Sequence, residues 1–133
     1  MEARQILVVD DDVSFGELTC RRLERLGYQA KLLPGARGVL TELVANRFAA
    51  VILDVNMPTL SGPELMQSIR QRAVKVMLYS STDPIDLRNL ARDHGADAYL
   101  NKSASTKELE VRLREMLLQT SSTPPSFRSG SGS

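Results

Sequence analysis

The 133 residues, 42% of them hydrophobic, are enough for one domain with a core and too few for two, and a net charge of +1 gives neither a basic face for nucleic acid nor an acidic tail. The single cysteine, Cys20, excludes an internal disulfide and any two-cysteine metal or redox motif. No apolar run approaches the roughly 20 residues of a membrane span and the amino end leads straight into a strand, so we expect a soluble cytoplasmic protein.

Five short apolar runs alternate with segments of helical period along the chain. The runs predict strands at 6–9, 30–33, 51–53, 74–79 and 98–100. Five helices are predicted between and after them, from residues that share one helix face. These residues are Phe15, Leu18, Arg22, Leu23 and Leu26; Val39, Leu40, Leu43 and Val44; Leu65, Met66 and Ile69; Leu87, Leu90 and Ala91; and Leu109, Leu113 and 116–118. Strict alternation of strand and helix predicts a parallel sheet covered on both faces by helices.

Local start and stop signals agree with this order of elements. Three pairs have capping-box spacing, and one Asp-Pro pair is typical of a cap followed by a first-turn proline. They are Ser14 with Glu17, Ser61 with Glu64, Ser105 with Glu108, and Asp83 with Pro84. Gly27 and Gly95 predict the ends of the first and fourth helices. The composition then turns to Ser, Thr, Pro and Gly, which predicts a domain over 1–119 and a disordered tail or linker over 120–133.

The third strand runs directly into an ionisable side chain. Residues 51–53 describe a strand buried on both faces, and Asp54 follows them without a break. A carboxylate at the mouth of an apolar layer is costly to desolvate unless a metal, hydrogen bonds or solvent compensate it. The alternative is that Asp54 only opens a turn completed by Asn56, Pro58 and Gly62. This segment alone favours neither interpretation.

Polar side chains follow four of the five predicted strands. They are Asp10, Asp11 and Asp12 after the first strand, Asp54 after the third, Ser80, Ser81 and Thr82 after the fourth, and Lys102 after the fifth. In an open parallel sheet the ligand site lies beyond the carboxyl ends of the strands, where the strand order reverses. Clustered carboxylates repel one another there unless a hard cation lies among them, and oxygen ligands in octahedral geometry suit Mg²⁺. Asn56 can add its backbone carbonyl oxygen.

Some of these side chains have simpler explanations. Asp12 precedes a helix, where the helix dipole favours an acidic group, but Asp10 and Asp11 together need another reason. Lys102 lies just before a helix start, the unfavourable end for a cation, so we expect an anion beside it. Residues expected to lie outside any site are Cys20, off the apolar face of the first helix, His94, exposed at a helix end, and the packing residues Met57 and Met77.

Four segments, taken in order, resemble the receiver domain of two-component response regulators over residues 4–119. They read ILVVDDD at 6–12, LDVNMP at 53–58 with Gly62, LYSS at 78–81 and GADAYLNK at 95–102. The resemblance implies a flavodoxin-like (βα)5 fold, which is a doubly wound five-stranded parallel α/β sheet with strand order 2-1-3-4-5. It also implies a cytoplasmic bacterial signalling protein.

The resemblance places the chemistry on Asp54. This side chain would take a phosphoryl group from the phosphohistidine of a histidine kinase or phosphotransfer protein, or from a small donor such as acetyl phosphate. Asp11, Asp54 and the Asn56 carbonyl would bind Mg²⁺, with Asp10 acting through water. The domain would carry out only its own Mg²⁺-dependent phosphorylation and dephosphorylation, and would not otherwise be an enzyme.

Further roles follow from the same resemblance. Lys102 and Ser80 would hold the phosphoryl oxygens, and Tyr99 would change position with Ser80. The side chain of Ser81 is small enough to leave room for the phosphoryl group beside Lys102 and Ser80. The side chains that would border the path of an attacking water, and so set the lifetime of the modified state, are those of Asn56 and Thr82.

The output surface is expected at the fourth helix, the fifth strand and the fifth helix. A downstream protein or a second copy of the domain would bind there, without direct nucleic-acid or membrane contact. The outer positions of these elements are Arg88, Arg92, Asn101 and Arg112.

Two residues depart from the family pattern. The family usually has a proline after the lysine, commonly with a cis bond, whereas Ser103 follows Lys102 here and predicts a trans bond and a differently arranged loop. Serine replaces the commoner threonine at position 80, which keeps the hydroxyl but loses the methyl group that restrains it.

Two other classes of protein share some of these sequence features. A haloacid dehalogenase-type phosphatase also uses an Asp nucleophile with Mg²⁺, and DDDVS at 10–14 fits its opening motif. The short chain and the otherwise unexplained Asp54 argue against it. A pseudo-receiver would keep the fold as a binding module without phosphorylation, and the complete set of site residues argues against that.

Overall fold

The order of elements in the computed structural model, which describes residues 4–56 and 62–119, is the predicted alternation of strands and helices. The elements are β1 (Gln5–Val9), α1 (Val13–Arg25), β2 (Gln29–Leu33), α2 (Val39–Ala45), β3 (Ala50–Leu53), α3 (Gly62–Arg70), β4 (Lys75–Ser80), α4 (Pro84–His94), β5 (Ala98–Asn101) and α5 (Thr106–Leu118). All four strand pairs are parallel, and the sheet order is β2-β1-β3-β4-β5. The predicted fold and strand order are therefore confirmed.

The sheet register brings the ends of β1 and β3 side by side. Val9 pairs with Leu53 in the sheet, so the residues that follow them, Asp10 and Asp54, leave the sheet next to each other. The main-chain N–H of Asp54 donates to the Val9 carbonyl at 3.0 Å, which extends the parallel pairing by one step. Because β1 has β2 on its other side, this is the point where the strand order reverses.

Two apolar clusters cover the two faces of the sheet, because successive strand residues point to opposite faces. Residues such as Val9, Leu53 and Leu78 pack toward α2, α3 and α4, together with Ile69 and Leu87. The other cluster packs toward α1 and α5, and includes Ile6, Val8, Ile52, Met77, Tyr79, Leu23, Leu109 and Leu113. Met77 is thus a packing residue as predicted, and Met57 lies outside the described residues.

The inner face of α1 differs from the predicted one. Its buried residues are Gly16, Thr19 and Leu23, while the other predicted positions, Phe15, Leu18, Arg22 and Leu26, are only partly buried. The helix approaches β2 closely at Gly16, where an added Cβ would lie 2.6 Å from Leu32 Cδ1. This approach turns Cys20 toward the core, so the prediction that Cys20 lies off the apolar face is wrong.

The helix starts are capped as predicted in two cases out of four. Ser105 and Glu108 form the reciprocal capping box of α5, and the Asp83 carboxylate accepts from the Ile85 N–H at 3.2 Å ahead of α4. For α1 the Ser14 prediction is wrong, because the Asp12 carboxylate caps the helix earlier by accepting from the Phe15 N–H at 3.1 Å. Of the third predicted pair, Ser61 and the Glu64 side chain lie outside the described part of the chain.

Smaller differences concern the ends of two helices. Val44 is 70% exposed at the end of the seven-residue α2, so it is not part of an inner face. His94 is the last residue of α4 and is partly buried, where exposure was predicted. Gly95 follows it with φ +75°, the left-handed conformation that ends helices at glycine. No helix within residues 4–56 and 62–119 has the length and apolar content to cross a membrane.

Candidate functional site

Three carboxylates meet where β1 and β3 end. Asp10 and Asp54 are buried, with 2% and 4% of their surface exposed, while Asp11 faces solvent. One carboxylate oxygen from each of the three lies within 4.8 Å of the others. The acidic residues that the sequence places at two strand ends therefore form a single cluster, open to solvent on the Asp11 side.

A lysine from the far edge of the sheet reaches this cluster. Lys102 Nζ lies 2.9 Å from Asp10 Oδ2 and 3.0 Å from Asp54 Oδ2, and only 14% of the lysine side chain is exposed. Its main-chain N–H donates to the Ser80 carbonyl at 2.9 Å, which fixes the start of the loop after β5. The anion expected beside Lys102 is thus the pair of buried carboxylates.

The charges at this site are incompletely balanced. Burial raises the pKa of Asp10 above its ordinary value, and repulsion by Asp54 adds to the rise, against hydrogen bonds from Lys102 and the Asp12 N–H. For Lys102, burial alone would lower the pKa, but hydrogen bonds to Asp10 and Asp54 outweigh burial and raise it. Lys102 is therefore a persistent cation that pairs with two of the three carboxylates in the cluster. A further cation of hard character, bound by oxygen atoms, suits the remaining charge.

An aromatic residue completes the surroundings of Lys102, although its place in the sequence pattern predicts only a packing role. Lys102 Nζ lies 4.6 Å from the centroid of the Phe15 ring, within the range of a cation–π contact. Phe15 in turn packs at 5.6 Å against Tyr79, whose hydroxyl accepts from Arg22 at 3.3 Å. The only signal in the sequence is that Phe15 lies one helical turn beyond the acidic triplet.

Polar side chains after β3 and β4 form a ring of hydrogen bonds beside the carboxylates. Asn56 Nδ2 donates to Ser80 Oγ at 2.8 Å, Thr82 Oγ1 donates to Asn56 Oδ1 at 3.0 Å, and the two hydroxyls lie 3.0 Å apart. Ser80 is fully buried, whereas Ser81 is exposed and its Oγ lies 3.3 Å from Asn56 Nδ2. The Asn56 N–H donates to Asp54 Oδ1 at 2.9 Å, which connects this ring to the acidic cluster.

Residues of the expected output surface fall into two groups. Arg88 and Arg92 are exposed on α4 as predicted. Arg112 is partly buried, donates to the Tyr99 carbonyl and has its guanidinium carbon 5.7 Å from the Tyr99 ring centroid. Asn101 is partly buried, and its role at a partner surface stays a prediction. Its side chain is held by hydrogen bonds to both neighbouring loops.

Tyr99 borders a cavity between α4 and α5. Its ring is partly buried and packs against the core on the α4 side of the sheet. The cavity has a volume of about 240 Å³, and its lining includes Pro84, Leu87, Ala104 and Arg112 besides Tyr99. The aromatic ring therefore has open space beside it.

The loop after Lys102 is arranged as a tight turn. The Ala104 N–H donates to the Asn101 carbonyl at 2.9 Å, and the Ser103 N–H donates to Asn101 Oδ1 at 2.8 Å. Across residues 4–56 and 62–119 all peptide bonds are trans, so Ser103 follows a trans bond as expected.

Comparison with known proteins gives a family. Residues 6–114 match the family described as the response regulator receiver domain. The response regulator MprA of Mycolicibacterium vanbaalenii is 36% identical over 118 residues, which is 87% of this chain and 51% of that protein. MprA of Mycobacterium avium is 34% identical over 118 residues, 87% of this chain and 52% of that protein. The chain thus spans about half the length of these curated relatives.

Solved structures show the same relationship. A response regulator receiver protein from Burkholderia phymatum has a TM-score of 0.77 and 32% identity, covering 86% of this chain and 94% of that one. A CheY-like receiver domain protein from Methanospirillum hungatei has a TM-score of 0.76 and 25% identity, covering 87% and 94%. The order of the strands, the acidic cluster with its lysine and these matches agree, and the chain belongs to the response regulator receiver domain family.

Proposed function

We propose that this domain accepts a phosphoryl group on Asp54 from the phosphohistidine of a histidine kinase or phosphotransfer protein, or from a small donor such as acetyl phosphate. The observation that carries the proposal is the position of Asp54, buried at the end of β3 and paired with Lys102 at 3.0 Å. A buried carboxylate at the switch point of a parallel sheet, next to a fixed cation, suits transfer of an anionic group.

The metal that the family implies is Mg²⁺, and the residues fit it. Asp11 and Asp54 would bind it directly with the Asn56 main-chain carbonyl, and Asp10 would act through water. Asp11 is the exposed member of the cluster, which leaves a route for a hydrated ion. When bound, Mg²⁺ would neutralise the carboxylates and the incoming phosphate.

The transfer is a single displacement. An Asp54 carboxylate oxygen forms a bond to phosphorus while the bond from phosphorus to the donor's imidazole nitrogen breaks, and the electron pair stays on that nitrogen. Lys102 then pairs with a phosphoryl oxygen where it now pairs with Asp54. Ser80 turns its hydroxyl from the Asn56 and Thr82 ring to a second oxygen. The acyl phosphate formed is open to hydrolysis, so the modified state has a limited lifetime.

The modified state would be transmitted to the surface made of α4, β5 and α5. Withdrawal of the Ser80 hydroxyl would open space behind it for the Tyr99 ring, which already has a cavity beside it. Arg88 and Arg92 would then contact a downstream protein or a second copy of the domain, with Arg112 moving with Tyr99. The cytoplasmic location and the disordered tail over 120–133 stay predictions, and the tail lies outside the described residues.

The phosphatase alternative is not supported. Its opening motif would need Asp12 as an acid beside the nucleophile Asp10, but Asp12 is the cap of α1 and Asp10 is paired with Lys102. The family match also assigns the chain to receiver domains.

The test is incubation with acetyl phosphate and Mg²⁺, followed by intact mass measurement. Wild type should gain one phosphoryl group and Asp54→Asn none, because the amide is a poor nucleophile. The matched control is Asp93→Asn, an exposed carboxylate on α4, which should label like wild type. Undiminished labelling of Asp54→Asn would defeat the assignment.

A further inference from the structure

Asn101, the last residue of β5, uses both ends of its side-chain amide. Its Nδ2 donates to the Thr82 carbonyl at 2.9 Å, and its Oδ1 accepts from the Ser103 N–H at 2.8 Å. A carbonyl accepts only from the NH₂ end, and an N–H donates only to the oxygen, so the two contacts together fix the orientation of the amide. Asn101 also pairs with Ser80 in the sheet.

One of the two loops joined by this amide carries the lysine that pairs with Asp54, and the other carries the Thr82 hydroxyl, which bonds to Asn56 beside Asp54. Ser103 directly follows Lys102, whose Nζ is held by Asp10 and Asp54. Thr82 lies in the loop before α4 and contacts Ser80 through its hydroxyl. Asn101 therefore joins the loop that follows Lys102 to the loop that contains Thr82.

The bridge depends on the residue that departs from the family pattern. A proline at position 103 would have no N–H to donate, and its ring would restrain the loop by itself. Serine has no such restraint, and the turn is held here by an Asn side chain that bonds the backbone two residues onward. The same side chain then reaches the neighbouring loop.

We propose that Asn101 is a positioning residue for the phosphoryl transfer, which holds the backbone of Lys102 and the loop of Thr82 in register across the site. This rests on the proposed function of Asp54. Loss of the bridge frees the turn at 101–104, and the Lys102 ammonium then spends less time where the phosphoryl oxygens lie. Displacement of such a group by about 1 Å costs up to about 100-fold in rate.

The test compares wild type, Asn101→Ala and Asn101→Ser, with Asn46→Ala as the matched control. Asn46 follows α2 and is exposed, with its side chain bonded to Glu42. Asn101→Ser keeps an oxygen that can accept from the Ser103 N–H but is too short to reach the Thr82 carbonyl. If circular dichroism shows that Asn101→Ala does not fold, Asn101→Ser is the variant that tests the proposal.

Two readouts are needed. In Asn101→Ala the phosphorylation rate at saturating acetyl phosphate should fall by about 10- to 100-fold, with Mg²⁺ affinity by calorimetry unchanged. The NMR signal of the Lys102 ammonium, which is sharp only while its hydrogen bonds slow exchange with water, should broaden. Asn101→Ser should be intermediate in both, and Asn46→Ala should match wild type.

The outcomes separate the two proposals. If wild type is not phosphorylated, the proposed function fails, and the Lys102 signal still tests the positioning role. A wild-type rate in both Asn101 variants overturns the positioning role. A reduced rate with an unchanged Lys102 signal overturns it as well, because the loss would then arise elsewhere.

Discussion

Lys102 supplies the positive charge that offsets the buried carboxylates of the site. Its ammonium pairs with two buried carboxylates and lies over the Phe15 ring, so its neighbours come from α1 and from the residues that directly follow β1 and β3. The strand ends in the sequence predict Asp10, Asp54 and Lys102, because a polar residue after an apolar run marks the sheet edge. They do not predict Phe15, whose contact with Lys102 depends on how α1 packs on the sheet.

Asp11 and Asp12 are neighbours with different tasks, and substitution should separate them. Asp11→Ala should weaken Mg²⁺ binding strongly and leave stability nearly unchanged, because Asp11 is exposed and belongs to the acidic cluster. Asp12→Ala should lower the free energy of unfolding by about 1 kcal/mol through loss of the α1 cap, with little effect on Mg²⁺. Calorimetric titration and urea unfolding measure the two quantities. Equal losses of Mg²⁺ affinity in both variants would show that the wrong member of the triplet was chosen.

Cys20 should react slowly with alkylating agents. Burial raises the pKa of its thiol from 9.0 to about 11, with the charges of Glu24 and Glu17 adding to the rise. A raised pKa favours the neutral thiol, so at pH 8 the folded protein should hold about 100-fold less thiolate than the unfolded chain. The rate of alkylation by iodoacetamide, followed by mass spectrometry with and without guanidinium, measures the difference in thiolate content. The rate in the folded protein should rise with pH up to about 11. Equal rates in the folded and unfolded protein would contradict the burial of Cys20.

At the scale of elements, the sequence predicts the bounds of the strands but not the geometry of the loops after β4 and β5. Each strand was predicted to within one residue at each end, because the apolar runs have clear polar boundaries. The side-chain hydrogen bonds of Asn101 were not predicted, since its two partners come from loops whose geometry depends on the pairing of β4 with β5. The start of α1 was misplaced because Asp12 and Ser14 are both good caps, and only packing decides between them.

The loop before α4 should set the lifetime of the modified state. Thr82 hydrogen bonds to Asn56, and under the proposed function both side chains would border the path of a water that attacks the acyl phosphate. Thr82→Arg should change the dephosphorylation rate and leave Mg²⁺ affinity nearly intact, because Thr82 is not among the proposed metal ligands. Thr82→Val, which keeps the shape and loses the hydroxyl, is the matched comparison. Decay of the phosphorylated mass over time gives the rate, and an unchanged rate in Thr82→Arg would remove Thr82 from the site.

At the scale of the whole molecule, the doubly wound order brings residues from four strand ends to one edge and leaves the α4–β5–α5 surface beside them. Leu78 pairs with Tyr99 and Ser80 with Asn101, so the hydroxyl that would turn toward the phosphoryl group lies one strand away from the ring that would move. The fold and this edge follow from strict alternation of strand and helix. The cavity beside Tyr99 does not, because it arises from how α4 and α5 pack.

Occupation of Asp54 should shift the equilibrium of this surface. Beryllofluoride, a mimic of the phosphoryl group, should move the backbone NMR signals of residues 85–112 in wild type and much less in Ser80→Ala, because the proposed switch couples the site to Tyr99 through Ser80. Signals of β2, the edge strand at the opposite end of the sheet from β5, serve as the internal control. Both positions of Tyr99 should be populated without the mimic, and the inward one enriched with it. An unmoved 85–112 region in wild type, with Asp54 shown to be occupied, would favour a phosphorylation-independent binding module.

The most direct measurement is the position of the phosphoryl group itself. Acetyl phosphate and Mg²⁺ would be added, the acyl phosphate reduced with borohydride, and the resulting homoserine located by fragment mass spectrometry. We expect conversion at residue 54 and at neither Asp10 nor Asp11, because Asp54 alone follows β3 with Lys102 beside one carboxylate oxygen and the Asn56 N–H on the other. Conversion at Asp10 or Asp11 with residue 54 intact would contradict it.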